Sequence, residues 1–240
     1  THNIKSLLKN ILLLVKSIFA HIYLKKIKKA EYIFTGASSH RVDYYDHSFN
    51  RYFDVILDHF EKSNKKGYLI EYSALKTKNI YKSNRVFDAT SLYLVILKFN
   101  KPKINLDSIL MDKNFQLLLS KIELNYGINK NNFIYQLKNN IQNIFVWSVI
   151  YKKIFLKTSP KYTFGLCYYN DEVFGMNLAA NKLGIKSVDM QHGGQGSLHY
   201  AYKYSHEYNK KMALLPNVFW VWEKLSKDWL DKWNNNNNLY

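Results

Sequence analysis

Cysteine is nearly missing: Cys167 is the only one in 240 residues. Without a second thiol there is no internal disulfide framework and no cysteine-rich zinc centre, and a reducing, cytoplasmic location is expected. Cys167 follows Leu166 and precedes Tyr168 in an apolar run, so it is expected to be a buried structural thiol. Arginine is almost as scarce, standing only at Arg41, Arg51 and Arg85 although Lys+Arg total 35. Proteins that read DNA sequence lean on arginine forks for guanine, so no specific nucleic acid is expected as a partner. An uninterrupted apolar run of about 18 to 20 residues, the length of a spanning helix, is also absent. Residues 4–27 come closest, but Lys5, Lys9, Lys16, Lys25 and Lys26 interrupt them. No long period repeats, which excludes a solenoid. Neither G-x-G-x-x-G nor a Walker lysine is present, so both familiar phosphate loops are excluded. His199 and His206 stand seven apart without carboxylates in register, and no metal or other cofactor is expected.

What is present is 47% apolar content, ample for a packed core, and a net charge of +17. That charge should attract anions: phosphodiesters, nucleotide-linked donors or an anionic membrane surface. Ile4, Leu7, Leu8, Ile11, Leu12, Val15, Ile18, Phe19 and Ile22 recur at helical spacing beside lysines, an amphipathic basic helix. Packing of this stripe on the domain is favoured over lodging in anionic headgroups at the inner face of the cytoplasmic membrane. The chain starts at Thr1 and ends in Asn234 to Asn238 followed by Leu239 and Tyr240, as a piece of something longer would.

Strand-like runs occupy residues 31–35 and 68–72, with a helix from a Ser48 cap to residue 61 between them. Residues 88–99, 106–124 and 132–155 have helical patterns, a helical insertion over about 88–158. Strand character returns at 162–169, then Asn170 caps a helix over 171–183 that Gly184 stops; further strands are expected at 185–190 and 216–222, and a helix at 223–233. This order describes an α/β fold, a Rossmann-like parallel sheet with flanking helices. Residues 1–30 form the leading helix, 31–222 the domain, and 223–240 a linker or helix toward a further domain.

The run Val188-Asp189-Met190-Gln191-His192-Gly193-Gly194 is a strand that ends in a histidine and glycines. It carries an imidazole to the carboxyl edge of the sheet, where open α/β folds bind ligands. Gly193 and Gly194 let backbone amides approach a ligand beside Gln191, and His192 can take a hydroxyl proton or neutralise a phosphate. Ser38 and Arg41 follow the first strand to the same edge, where Arg41 either clamps an anion or is a surface arginine near Asp43 and Asp46. His199, Tyr200, Tyr202, Tyr204, His206 and Tyr208 form an aromatic and imidazole-rich tract. Alternation in an extended segment would align Tyr200, Tyr202 and Tyr204 as a stacking platform. Asp171 and Glu172 open a helix, where carboxylates favour the amino terminus.

Residues 168–172 together with 177–193 resemble the helix, strand and Gln-His-Gly loop of bacterial capsule and lipopolysaccharide glycosyltransferases of the GT-B fold. Residues 215–222 are similar to the segment leading into those enzymes' second half. The resemblance covers roughly residues 162–222. It implies that this chain is the amino-terminal half, holding a glycan or lipid-linked acceptor, while a nucleotide-sugar donor binds a carboxyl-terminal domain across the cleft. It also implies that His192 sits in the cleft; in a functional reading of the two carboxylates beside it, Asp171 or Glu172 is a cleft-facing base that deprotonates the acceptor hydroxyl while His192 supports the donor phosphate. Polymer glycerophosphate or phosphosugar transferases of similar fold, whose comparable histidine serves as a base, are the alternative. A basic nucleic-acid-binding module, resting on lysine and aromatic content alone, is a further one.

Overall fold

The computed structural model describes residues 2–73, 79–196, 199–202 and 212–234. In chain order it has α1 (His2–Lys26), β1 (Tyr32–Gly36), β2 (Arg41–Tyr44), β3 (His47–Asn50), α2 (Asp54–Lys62), β4 (Gly67–Glu71) and β5 (Val86–Asp88). There follow α3 (Thr90–Phe99), α4 (Asp107–Leu110), α5 (Lys113–Tyr126), α6 (Lys130–Thr158), β6 (Tyr162–Gly165), α7 (Asp171–Leu183), β7 (Lys186–Met190), β8 (Val218–Trp220) and α8 (Lys224–Asn234).

Six strands form one sheet in the order β5-β4-β1-β6-β7-β8, every neighbouring pair parallel. The chain builds outward from β1 to β5, then returns to lay β6, β7 and β8 on β1's other side. This is the doubly wound, Rossmann-like order, and its direction reverses between β1 and β6. The α/β architecture expected from the sequence is therefore the one found.

Alternation along each strand separates two cores. Ile33, Ile70 and Phe87 face α1, α3, α6 and α7, whereas Phe34, Leu69 and Val86 face α2 through Phe53 and Leu57. The Thr35 and Thr163 hydroxyls, buried between β1, β6 and α7, both donate to the Met176 thioether at 3.0 Å. Helix α7 lies tightly on its surroundings because two of its contacts are glycines. A Cβ on Gly175 would stand 2.5 Å from the Trp147 Cβ of α6, and one on Gly165 2.8 Å from Val173. The helix ends where Gly184 takes φ +68, the cap that the sequence indicates.

Four elements differ from the sequence expectation. Ser48 does not cap a helix but lies in β3, paired with Asp43 of β2. The hairpin turn is made by Tyr45 and Asp46, both at positive φ, and Asn50 instead accepts the Tyr52 and Phe53 amides ahead of α2. Residues 86–88 form an edge strand, β5, that is not among the strands expected from the sequence and that takes Asp88 from the start of the helix expected over 88–99, which makes β7 the fifth sheet strand in chain order. The helix expected over 106–124 is broken at Asp112, whose carboxylate accepts the Phe115 amide and restarts it as α5.

The largest difference is in α1. Its Ser17, Ala20 and Leu24 are buried, and Tyr23 reaches the Asn84 carbonyl at 2.9 Å. The large residues of its apolar stripe face away from the domain: Leu7, Leu8, Ile11, Leu12, Leu14, Val15, Ile18, Phe19 and Ile22 are between 41% and 66% exposed. Small residues admit the close approach to α3, and the bulky ones are left over.

Candidate functional site

In a doubly wound sheet the crevice lies beyond the carboxyl ends of the strands, where the winding reverses. Here that place is bounded by the loops after β1 and β6, with those after β4 and β7 beside them. They contribute His40, Tyr72, the segment from Cys167 to Glu172, and His192.

His192 is half-buried, and its Nε2 lies 3.0 Å from Cys167 Sγ, with Nδ1 at 4.0 Å. Burial, reinforced by neighbouring His199, lowers its pKa below 6.5, so the ring is neutral at physiological pH. Cys167 turns the chain from β6 toward α7 at φ 56, a left-handed conformation for a non-glycine residue. Burial raises the thiol's pKa, while the Tyr169 hydroxyl bonded to it opposes that shift. Cys167 is thus only partly buried: it packs against the core on the α2 side of the sheet and is the partner of His192. The signal was its place between the strand-ending Gly165 and the helix-capping Asn170.

The same turn presents Asn170, Asp171 and Glu172. Asn170 occupies the cap position of α7, but its side chain makes no cap bond and instead partners the Tyr72 hydroxyl. Asp171 accepts from Asn143 Nδ2 at 3.0 Å, and Asn143 in turn accepts from Tyr93, so this carboxylate ties α7 to α6 and α3. Glu172 has no ion-pair partner among the described residues; burial raises its pKa, its own amide opposes this, and Asp171 adds to it. Tyr72 is buried, and burial, with Glu172 and then Cys167 acting on it electrostatically, raises its pKa.

His40 closes the β1 side. Its Nδ1 accepts the Ala37 amide at 3.3 Å, and burial, with Arg51 and then His192, lowers its pKa to about 4. Ser38 is half-buried in the same short turn.

Arg41 is neither at the surface nor extended into the crevice. It is buried beneath the hairpin, with Nε 2.7 Å from Glu71 Oε1 and Nη1 2.5 Å from the Ser48 carbonyl. Burial raises Glu71 to about 7 against the pull of Arg41.

Gln191 is fully engaged inside the protein. Its Nε2 donates to Ser226 Oγ and the Gly193 carbonyl, each at 3.0 Å, and its Oε1 accepts the Trp222 amide at 2.7 Å. It therefore fixes the loop that carries His192 to α8 and the end of β8. Gly193 and Gly194 have open space where a Cβ would stand, which leaves their backbone accessible. Asp189 is buried, accepting the Tyr168 amide at 3.0 Å, and burial raises its pKa strongly.

The aromatic tract is not extended where it is described. Tyr200–Tyr202 is a single 3₁₀ turn, so Tyr200 is exposed and stacked on His199, rings 5.1 Å apart, while Tyr202 is buried. Tyr204, His206 and Tyr208 lie outside the described residues. His199 accepts the Ala201 amide at Nδ1, which leaves Nε2 to share a 3.3 Å hydrogen bond with Tyr169. Among the described residues no group of three or more His, Cys, Asp or Glu side chains is arranged to hold a metal ion.

Compared with known proteins, the chain matches no family model, no curated protein and no solved structure.

Proposed function

We propose that this chain is the acceptor-side half of a glycosyltransferase, moving a sugar from a nucleotide-linked donor to a growing surface glycan. The observation that carries the reading is the 3.0 Å contact of His192 with Cys167 beyond the carboxyl ends of β6 and β7, next to the reversal point of the sheet, with Glu172 opening α7 just after the same turn. Glu172 is the base for the acceptor hydroxyl: it is half-buried, without an ion pair among the described residues, and raised toward the range where a carboxylate can take a proton. Asp171, held by Asn143, positions α7 and not the proton. His192 is neutral, so it supports a donor phosphate by hydrogen bonding and not by charge. The Cys167 thiol lies closer to Nε2, at 3.0 Å, than to Nδ1, at 4.0 Å.

The exposed Tyr200–His199 stack beside this crevice offers a flat face to a sugar ring. Gly193 and Gly194 leave room for a ligand against the backbone. The nucleic-acid reading has less support, because the aromatic rings that composition counts are largely stacked inside the cores, as Phe34 on Phe164 and Tyr93 on Trp147.

The test is transfer from labelled UDP-, GDP- and CMP-sugars, with CDP-glycerol as a further donor, by the natural full-length protein and its His192→Ala variant. Sugar transfer lost in the variant supports the reading. Transfer only from CDP-glycerol would move the assignment to the glycerophosphate transferases, and full sugar transfer by the variant would remove His192 from the chemistry.

A further inference from the structure

We infer that α1 docks the protein on an anionic lipid surface, lying in the headgroup plane with its bulky apolar face in the bilayer. The inference is independent of the proposed reaction, since no residue of α1 belongs to the crevice.

Helix α1 is divided into two unequal faces. At 100° per residue, the exposed side chains from Leu14 through Ile11 and Ile22 to Leu12 cover an arc of roughly 160°. The opposite side, with Ser17, Ala20 and Leu24, is spent on the domain. A soluble helix normally buries the larger apolar face and exposes the smaller or polar one. This helix does the reverse, and an apolar strip running most of its length is far beyond scattered surface leucines.

Charge identifies the occupant. No aspartate or glutamate occurs anywhere in His2–Lys26, and the first acidic residue of the chain is Glu31. The exposed Lys9 and Lys16 border the apolar arc, and Lys25 and Lys26 close the helix. Against another copy of α1 these charges repel; against anionic headgroups they attract. An apolar face bordered by lysines is the composition of a helix that lies in an interface.

Length permits another topology, because Ser6–Lys26 is long and apolar enough to cross a bilayer. Spanning would strip Ala20 and Leu24 from the core and pull Tyr23 from the Asn84 carbonyl. Lying flat keeps every one of those contacts and buries the face that is already bare.

The experiment is cosedimentation of the chain with phosphatidylcholine vesicles made with and without phosphatidylglycerol, at low and high salt. Leu8, Ile11 and Ile18 are exposed, so a triple change to Gln leaves the fold intact and should reduce binding at least about tenfold. Each lysine near the surface is worth about fivefold, so Lys9→Gln with Lys16→Gln should lose more than tenfold and flatten the salt dependence. Circular dichroism of both variants verifies the fold. Binding that ignores phosphatidylglycerol and salt, or that resists carbonate extraction as a spanning helix does, overturns the inference. So does a monomer–dimer equilibrium in ultracentrifugation that the triple variant abolishes while vesicles go unbound.

Discussion

His192 Nε2 lies 3.0 Å from Cys167 Sγ, so the loop that leaves β7 is hydrogen-bonded to the turn that leaves β6. The two groups settle each other's chemistry. A thiol whose pKa burial raises is protonated at neutral pH, and an imidazole whose pKa burial lowers is neutral beside it. The pair is therefore not a thiolate–imidazolium nucleophile.

Two outcomes are expected from that pairing. Iodoacetamide should label Cys167 slowly at pH 7, with a rate that climbs only above the ordinary thiol range near pH 9. In Cys167→Ala, water reaches the ring and the His192 titration followed by NMR should move up toward 6.5. Fast labelling at neutral pH would mean a thiolate and reverse the assignment.

Arg41 and Glu71 form a buried pair whose removal should be asymmetric. Arg41→Ala leaves Glu71 desolvated and unpaired, a change that costs about 3–5 kcal/mol in other buried pairs. Replacing both at once, Arg41→Met with Glu71→Leu, should recover most of that loss, because two desolvation penalties disappear with the attraction. Urea unfolding of the single and double variants measures the difference. An arginine that clamped a ligand would instead leave stability nearly unchanged.

The places where sequence and structure part company share a cause. Helix α7 was legible to the residue because its signals are local: Asn170 before it, Gly184 at φ +68 after it. The strands around β1 were legible because alternation between two cores leaves them apolar throughout. The hairpin was not, since Tyr45 and Asp46 adopt positive φ without the glycine or asparagine that usually announces such a turn. The outward face of α1 was not legible either: periodicity finds a stripe but cannot say whether domain or solvent meets it. At the site, His192 and Glu172 stood out as titratable residues beside strand ends. The Cys167 contact spans 25 positions of sequence and depends on β6 and β7 being neighbours, which nothing local encodes.

Glycine should matter at one place and not at another. Alanine at position 175 would set its Cβ 2.5 Å from Trp147 Cβ and 2.9 Å from the Ile144 carbonyl, and backbone cannot yield as a flexible side chain does. Gly175→Ala should cost about 1–3 kcal/mol as α6 and α7 separate. Gly193→Ala meets nothing within 4 Å, so its stability should stay within about 0.5 kcal/mol of the parent. If transfer nevertheless falls in Gly193→Ala, the missing Cβ is room for the ligand.

Glu172 separates a catalytic carboxylate from a structural one by sign. Burial raises its pKa in the folded protein above the unfolded value of 4.5, so its contribution to stability is fully present below the unfolded pKa. That contribution is lost as pH rises through the folded pKa, where the half-buried carboxylate must ionise. Glu172→Gln removes the ionisation and should therefore make the fold more stable at pH 7 than the parent, with little change at pH 4. If Glu172 is the proposed base, the effect of the substitution on transfer should be opposite, a rate drop of roughly 10²–10⁴. In the parent, transfer should fall on the acid side below a midpoint higher than 4.5, and the variant's residual rate should lack that limb. Urea unfolding at both pH values beside a pH–rate profile reads both signs. A variant that is less stable at pH 7, with transfer lost only in proportion, would make Glu172 a structural residue of the α7 terminus.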